Sequence, residues 1–339
     1  MILDKLVSFS EYVRFGAVCK PWQSVLLVPY QKRLSGSSHG WLFTVEETFG
    51  ITLINPFSGA TIELPPIMDL SYFYPPDDDD DDDGGDGDDD GDDDDDNDSI
   101  EVDFEVVKTT LSADPALYPN DYIVTATYSG HRRLAFILPG DKAWTYLDKE
   151  RFQLFYDVVY YKGLIFAVDF RVRVLMIDVN RKDGKSKAPQ VKEIAPQTNA
   201  DSQRTYLVES SSGDLLLVQR FLKVGDDLQH ATSGFKVFKL LLEQFEQGQA
   251  MRVEVKNLGG DTLFLGDNQS ICVSACKWPG CQPDSIYYTD DYIEILARLP
   301  HGRRDIGIFN IESGRFGRIT SLILHIRICH PQFGLCQLC

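Results

Sequence analysis

From about residue 40 onward the chain is a train of short apolar runs broken by turn residues. WLFTVEE, GITLINPFSGATIELPP, YIVTATYSG, RRLAFILPG, GLIFAVDF, VLMIDVN, GFKVFKLLL, DTLFLGD and SIYYTDD are examples. Each is rich in Val, Ile, Leu, Phe or Tyr and bounded by Gly, Asp, Asn or Pro. Each has the length of one strand, or of two joined by a turn. Helical periodicity is hard to find, apart from a turn near LLLEQFEQG. Such a chain folds as a mainly β protein: a sandwich, a barrel or a β-propeller.

Spacing narrows the choice. Glycine followed by an apolar strand recurs at Gly163, Gly213 and Gly259. Those intervals, 50 and 46 residues, are near the ~40–50 of one four-stranded propeller blade. A second element also recurs, a strand ending in Asn or Asp followed by a turn to Gly. It spans Asn55 to Gly59, Asp178 to Gly184 and Asn310 to Gly314. The pattern points to a propeller, with a pair of sandwiches as the alternative.

Three segments stand outside this pattern. The first 30 residues read as a small helical hairpin. Ser8 and Glu11 have capping-box spacing, and Val13, Val18 and Cys19 form an apolar stripe. Lys20 before Pro21 ends that helix, and Pro21 opens a second one with Trp22, Val25 and Leu26 on its apolar face. Residues 77–98 hold 17 aspartates and no basic residue. They repel one another and bury nothing, so they are expected to form a disordered loop between strands. The C-terminal GRFGRITSLILHIRICHPQFGLCQLC carries three of the seven cysteines and resumes neither the repeat spacing nor a clean strand pattern.

The aspartate run accounts for most of the formal charge of −19; without its 17 carboxylates the chain carries −2. No basic face is evident, which argues against nucleic acid as a partner. No apolar run approaches the ~18 residues of a membrane span. Asp4 and Lys5 interrupt what a signal peptide would need as an apolar core. Seven scattered cysteines suit a reducing compartment. These features predict a soluble intracellular protein, nuclear or cytoplasmic.

Chemical motifs are sparse. Cys272, Cys276 and Cys281, and the tail's Cys329, His330, Cys336 and Cys339, lack the paired knuckles of a zinc site. No H-E-x-x-H, Walker loop or G-x-S-x-G is present. Asp290 and Asp291 read as a turn rather than a catalytic pair. Neither a cofactor nor a metal is expected. Trp41, Trp144, Trp278, Tyr287 and Tyr288 lie near loops and are candidates for partner recognition. For each taken singly, packing between blades is the stronger expectation.

ILDKL followed by VRFGAVCKPWQSV resembles the second half of an F-box, with Leu6, Val18, Cys19 and Trp22 at pattern positions. Downstream, the chain is similar to plant F-box proteins with a KIB-type β-propeller. GWLFTVEE, LINPFSGATIELPP, LAFILPGDKAWTYLD, DVVYYKGLIFAVD, YLVESSSGDLLLVQR, LGGDTLFLGDNQSICVSA and DIGIFNIESGR carry the resemblance in order. It implies a non-catalytic substrate receptor of an SCF-type (Skp–cullin–F-box) E3 ubiquitin ligase. Leu3, Leu6, Val18, Cys19 and Trp22 would bind a Skp-type adaptor, and the propeller would bind an unknown protein substrate. The implied layout is a partial F-box over 1–30, first propeller strands over 31–76, the acidic loop over 77–98, remaining blades over 99–315 and an atypical tail over 316–339. The family's L-P-x-x-L-L segment is missing before ILDKL, so the F-box reads as N-terminally truncated and the adaptor contact as weakened. The tail replaces the family's closing strand, which predicts an exposed sheet edge. The alternative is a propeller interaction module that no longer engages the ligase because its F-box is incomplete. A hydrolase or metal enzyme finds no motif.

Overall fold

The computed structural model describes residues 33–46, 48–67, 106–128, 132–147, 152, 154–179, 189–196, 204–224, 230–242, 250–266, 269–278, 280–289 and 305–317. Among them the chain forms five antiparallel-rich sheets in succession. Sheet 1 holds β1 (Arg33–Ser38), β2 (Trp41–Val45), β3 (Ile51–Ile54) and β4 (Thr61–Leu64). Sheet 2 holds β5 (Val106–Leu111), β6 (Val124–Tyr128), β7 (Arg133–Ile137) and β8 (Thr145–Tyr146). Sheet 3 holds β9 (Phe155–Tyr161), β10 (Leu164–Asp169), β11 (Val174–Asp178) and β12 (Gln190–Ala195). Sheet 4 holds β13 (Arg204–Glu209), β14 (Leu215–Val224), β15 (His230–Leu241) and β16 (Met251–Val255). Each of these four is a plain meander with its first strand innermost.

Sheet 5 departs from that plan. It holds β17 (Asp261–Leu265), β18 (Ile271–Ser274), β19 (Ser285–Tyr288), β20 (Gly307–Asn310) and β21 (Arg315–Gly317), in the order β18-β17-β19-β20-β21. β17 pairs in parallel with β19, and β18 takes the inner position. Gly163 and Gly213 therefore occupy equivalent turns, between the first and second strands of sheets 3 and 4. Gly259 instead lies in the link before β17.

The blades are sheets buried on both faces, and the sequence follows from that. Side chains alternate sides along a strand, so a sandwiched strand must be apolar in both phases. In β9 and β10, Val158, Ile165 and Ala167 pack toward sheet 2, while Val159, Phe166 and Val168 pack toward sheet 4. In β13 and β14, Leu207, Leu215 and Leu217 face sheet 3, and Tyr206, Val208, Leu216 and Val218 face sheet 5. Four apolar clusters of this kind join sheet 1 to 2, 2 to 3, 3 to 4 and 4 to 5. This serial packing is a propeller and rules out the sandwich pair.

Short turns fit the strands tightly. His39 and Gly40, and likewise Lys162 and Gly163, have positive φ at both positions, as two-residue hairpin turns matched to strand twist require. The motif ending in Asn and Gly is also local physics. Asn55 Oδ1 accepts from Phe57 N and Ser58 N at 3.0 Å, and Gly59 N returns to Asn55 O at 2.8 Å. Asn310 Oδ1 accepts from Ser313 N at 2.9 Å, and Gly314 N returns to Asn310 O at 2.9 Å. The third copy begins at Asp178, the last residue of β11, and runs outside the described residues. The expected helical hairpin of residues 1–30, the acidic run 77–98 and most of the tail also lie outside them. Among the described residues there is no helix longer than the 3-10 turn Ala275–Lys277, and none long and apolar enough to cross a membrane.

Candidate protein-interaction faces

The inner strands converge on one carboxylate. Asp157 of β9 is 1% exposed. Its Oδ1 accepts from Lys108 Nζ of β5 at 2.5 Å and from Val158 N at 2.8 Å. Its Oδ2 accepts from Leu207 N of β13 at 2.9 Å and from Ser270 Oγ, next to β18, at 3.0 Å. Donors from sheets 2, 4 and 5 thus meet an acceptor from sheet 3. An inner strand has no neighbour on its axial edge, so amides such as that of Leu207 need a partner, and Asp157 supplies one. Sheet 1 joins the axis through Ser35 Oγ and Thr109 Oγ1, 3.1 Å apart. Backbones crowd there: a Cβ on Gly36 would lie 2.7 Å from the Thr109 carbonyl oxygen. These contacts tie the inner strands together by groups that hold structure, so the two ends of the propeller are the candidate surfaces for partners.

Topology makes those ends different. One end collects the turns from first to second and from third to fourth strands; call it the turn face. The other collects the turns from second to third strands and the links that join sheets 1 to 4; call it the entry face. β1 begins at the entry face, so residues 1–32 join there, as does the acidic segment between β4 and β5. The entry face is braced at sheets 4 and 5. Arg220, 1% exposed, pairs with Asp305 Oδ2 at 2.9 Å, donates to the Thr289 carbonyl at 2.8 Å and lies 4.8 Å from the Tyr288 ring centroid. Burial and the Asp305 charge push the Tyr288 phenol up to about 12, against the opposing pull of Arg220.

On the turn face, latches tie neighbouring blades. Trp41 Nε1 donates to Asp114 Oδ1 at 2.8 Å, from sheet 1 to the β5–β6 loop. Tyr161 OH donates to the Gly213 carbonyl at 2.7 Å, from sheet 3 to sheet 4. Ser211 Oγ donates to Asp261 Oδ1 at 2.6 Å, from sheet 4 to sheet 5. Over this held base, Phe57 in the β3–β4 turn and Leu117 and Tyr118 in the β5–β6 loop have half or more of their surface in solvent. Rigidly held loop tips with exposed apolar and aromatic groups suit protein recognition.

The aromatic candidates resolve mostly into packing. Trp41, Trp144, Tyr287 and Tyr288 are buried, and Trp278 is half-buried. Trp144 Nε1 donates to the Pro65 carbonyl at 2.8 Å. Cys272, Cys276 and Cys281 form no disulfide. Burial and the hydrogen bond to Asp261 at 3.2 Å push the Cys272 thiol far up, so it is no nucleophile at neutral pH. Among the described residues no group of three His, Cys, Asp or Glu side chains could hold a metal ion. Leu3, Leu6, Val18, Cys19 and Trp22, together with Asp290, Asp291, Cys329, His330, Cys336 and Cys339, lie outside the described residues. Phe57, Leu117 and Tyr118 were not singled out from sequence. The available signal was an apolar residue inside a turn, as in NPFSG and ALYPN.

Comparison with known proteins agrees with this architecture. The chain is 25% identical over 317 residues to a putative F-box protein of Arabidopsis thaliana, At5g55150, covering 92% of this chain and 78% of that protein. It is 26% identical over 341 residues to the Arabidopsis F-box protein SKIP23, covering 91% of this chain and 77% of that one. A third relative, the Arabidopsis F-box protein At4g35733, is 29% identical over 172 residues, 48% of this chain and 44% of that one. Residues 18–310 match the KIB1-4 β-propeller, and the chain belongs to that family.

Proposed function

We propose that the protein is a substrate-recognition subunit of an SCF-type ubiquitin ligase, with no bond chemistry of its own. The observation that carries this reading is the opposition of the two faces. Residues 1–32, with the F-box-like Leu3, Leu6, Val18, Cys19 and Trp22, join at the entry face. The exposed Phe57, Leu117 and Tyr118 sit at the other end. Such a receptor works by proximity. It holds a target at one end and a Skp-type adaptor at the other, turning a bimolecular encounter into an oriented one. Relatives that bear the F-box name along most of this chain's length support the same reading.

The test is a pull-down of a Skp-type adaptor by the full chain. Adaptor should be retained, and Trp22→Ala with Val18→Asp should abolish retention while circular dichroism and Tm stay unchanged. Adding an upstream L-P-x-x-L-L segment should strengthen retention. No retention with or without that segment would leave the module reading, a propeller that binds partners but does not join a ligase.

A further inference from the structure

The β5–β6 loop holds four consecutive exposed apolar residues, Ala116, Leu117, Tyr118 and Pro119. Leu117 is 70% exposed and Tyr118 55%. Single apolar side chains in solvent are ordinary, but a run of them is a solubility liability unless a partner covers it. The run is also held still. Asp114 Oδ1 accepts from Trp41 Nε1 at 2.8 Å and from the Ala116 amide at 2.9 Å. The Asp114 carbonyl accepts from Leu117 N at 3.0 Å and from Tyr118 N at 2.9 Å. One residue therefore winds the loop into a turn and fastens it to sheet 1. Ser112 closes the base of the loop: its amide donates to the Ile123 carbonyl at 3.0 Å, and its Oγ accepts from Ile123 N at 2.7 Å. Phe57 joins the same surface, since a Cβ on Gly40, next to Trp41, would meet its ring at 3.9 Å.

The charges beside this surface are mostly acidic. At the turn face, the loops of sheets 1 and 2 carry Asp114, Asp121 and Asp141 against one base, Lys142. His39, in the β1–β2 turn, does not redress the balance, because burial lowers its pKa against the opposing pull of Asp114. Resting on the reading of the turn face as the target-binding end, we propose that this surface holds a target segment whose apolar side chains lie between Lys or Arg, and that Asp114 is its positioning residue. The apolar side chains of the segment cover Leu117, Tyr118 and Phe57. Its cations meet Asp121 and Asp141 and the exposed ring faces of Tyr118 and Phe57. The formal charge of −19 on the whole chain draws such a partner in. A loop already pinned by Asp114 loses little freedom when the segment binds.

Fluorescence polarisation with the full chain tests this, using two labelled peptides of one Leu-Phe-Leu core, flanked by Lys in one and by Glu in the other. The Lys peptide should bind roughly tenfold tighter, with an affinity that falls as salt rises. Leu117→Ser with Tyr118→Ser should weaken it by roughly tenfold or more at unchanged Tm. Asp121→Lys should narrow the preference between the peptides roughly fivefold. Asp114→Ala should weaken binding and speed hydrogen–deuterium exchange at 116–118, and Asp114→Asn, which keeps the acceptor oxygen, should restore slow exchange. Equal binding of the two peptides would overturn the proposal. So would Lys-peptide binding that survives Leu117→Ser with Tyr118→Ser, which would place the peptide on the aspartate run 77–98. The adaptor pull-down, read in parallel, separates the two readings. Peptide selectivity without adaptor retention upholds this surface and removes the ligase role; adaptor retention without selectivity overturns this surface alone.

Discussion

Asp157 ties together four of the five described sheets. It is buried with Lys108, at 2% and 7% side-chain exposure, and each of its oxygens accepts two hydrogen bonds. Removing one member of such a pair strands the other charge in the interior, which costs roughly 3–5 kcal/mol. Asp157→Ala should lower the denaturant midpoint accordingly, with Asp157→Asn intermediate. Lys108→Met with Asp157→Leu should be far milder than the sum of the single changes, because no charge is left unpaired. The sequence hides this residue. Asp157 opens DVVYY as one charge beside an apolar run, and nothing local tells a strand-end Asp from an axial one. Tyr288 carries a second residue-scale prediction. Its phenol has its ordinary value of 10.0 when unfolded and about 12 when folded, so the fold prefers the neutral form. Above pH 10 the unfolded chain loses this proton while the folded chain keeps it. Stability should therefore fall between pH 10 and 12, more steeply than in Tyr288→Phe, as read from urea midpoints across that range.

Whole strands were far more legible than single sites, because a doubly covered blade imposes its pattern on every position. Runs such as GLIFAVDF and YLVE are apolar in both phases, and they became β10 and β13. The order of sheet 5 was not legible. Gly259 repeats the spacing of Gly163 and Gly213, but the chain there supplies the second strand before the first, and spacing carries no information on which neighbour a strand takes. The Asn turns were readable, and they predict different tolerances. Asn55→Ala and Asn310→Ala should each cost about 1 kcal/mol or somewhat more in thermal or urea unfolding. Asn55→Asp should recover most of that, since the Asn55 side chain acts there as an acceptor. Asn310→Asp should not, because the Asn310 amide nitrogen also donates to the Asp284 carbonyl at 3.2 Å.

At the scale of the whole molecule, the proposed receptor has two opposite faces: residues 1–32 join one, and the other carries Phe57, Leu117 and Tyr118. The exposed turn-face residues were not predictable from composition, since an apolar residue in a turn reads the same whether it packs or projects. The F-box-like residues came only through resemblance. Replacing Phe57, Leu117 and Tyr118 together by Ser should change folding stability by well under 1 kcal/mol per site, because exposed positions carry little of the fold. The most direct measurement is quantitative co-purification from plant cells of three full-length chains: wild type, the Val18→Asp/Trp22→Ala variant and the Phe57→Ser/Leu117→Ser/Tyr118→Ser variant. A receptor with two separate binding faces should show separable losses. The first variant loses adaptor and cullin and keeps the remaining partners; the second keeps adaptor and cullin and loses a partner. Both variants losing the same proteins, or neither losing any, would contradict it.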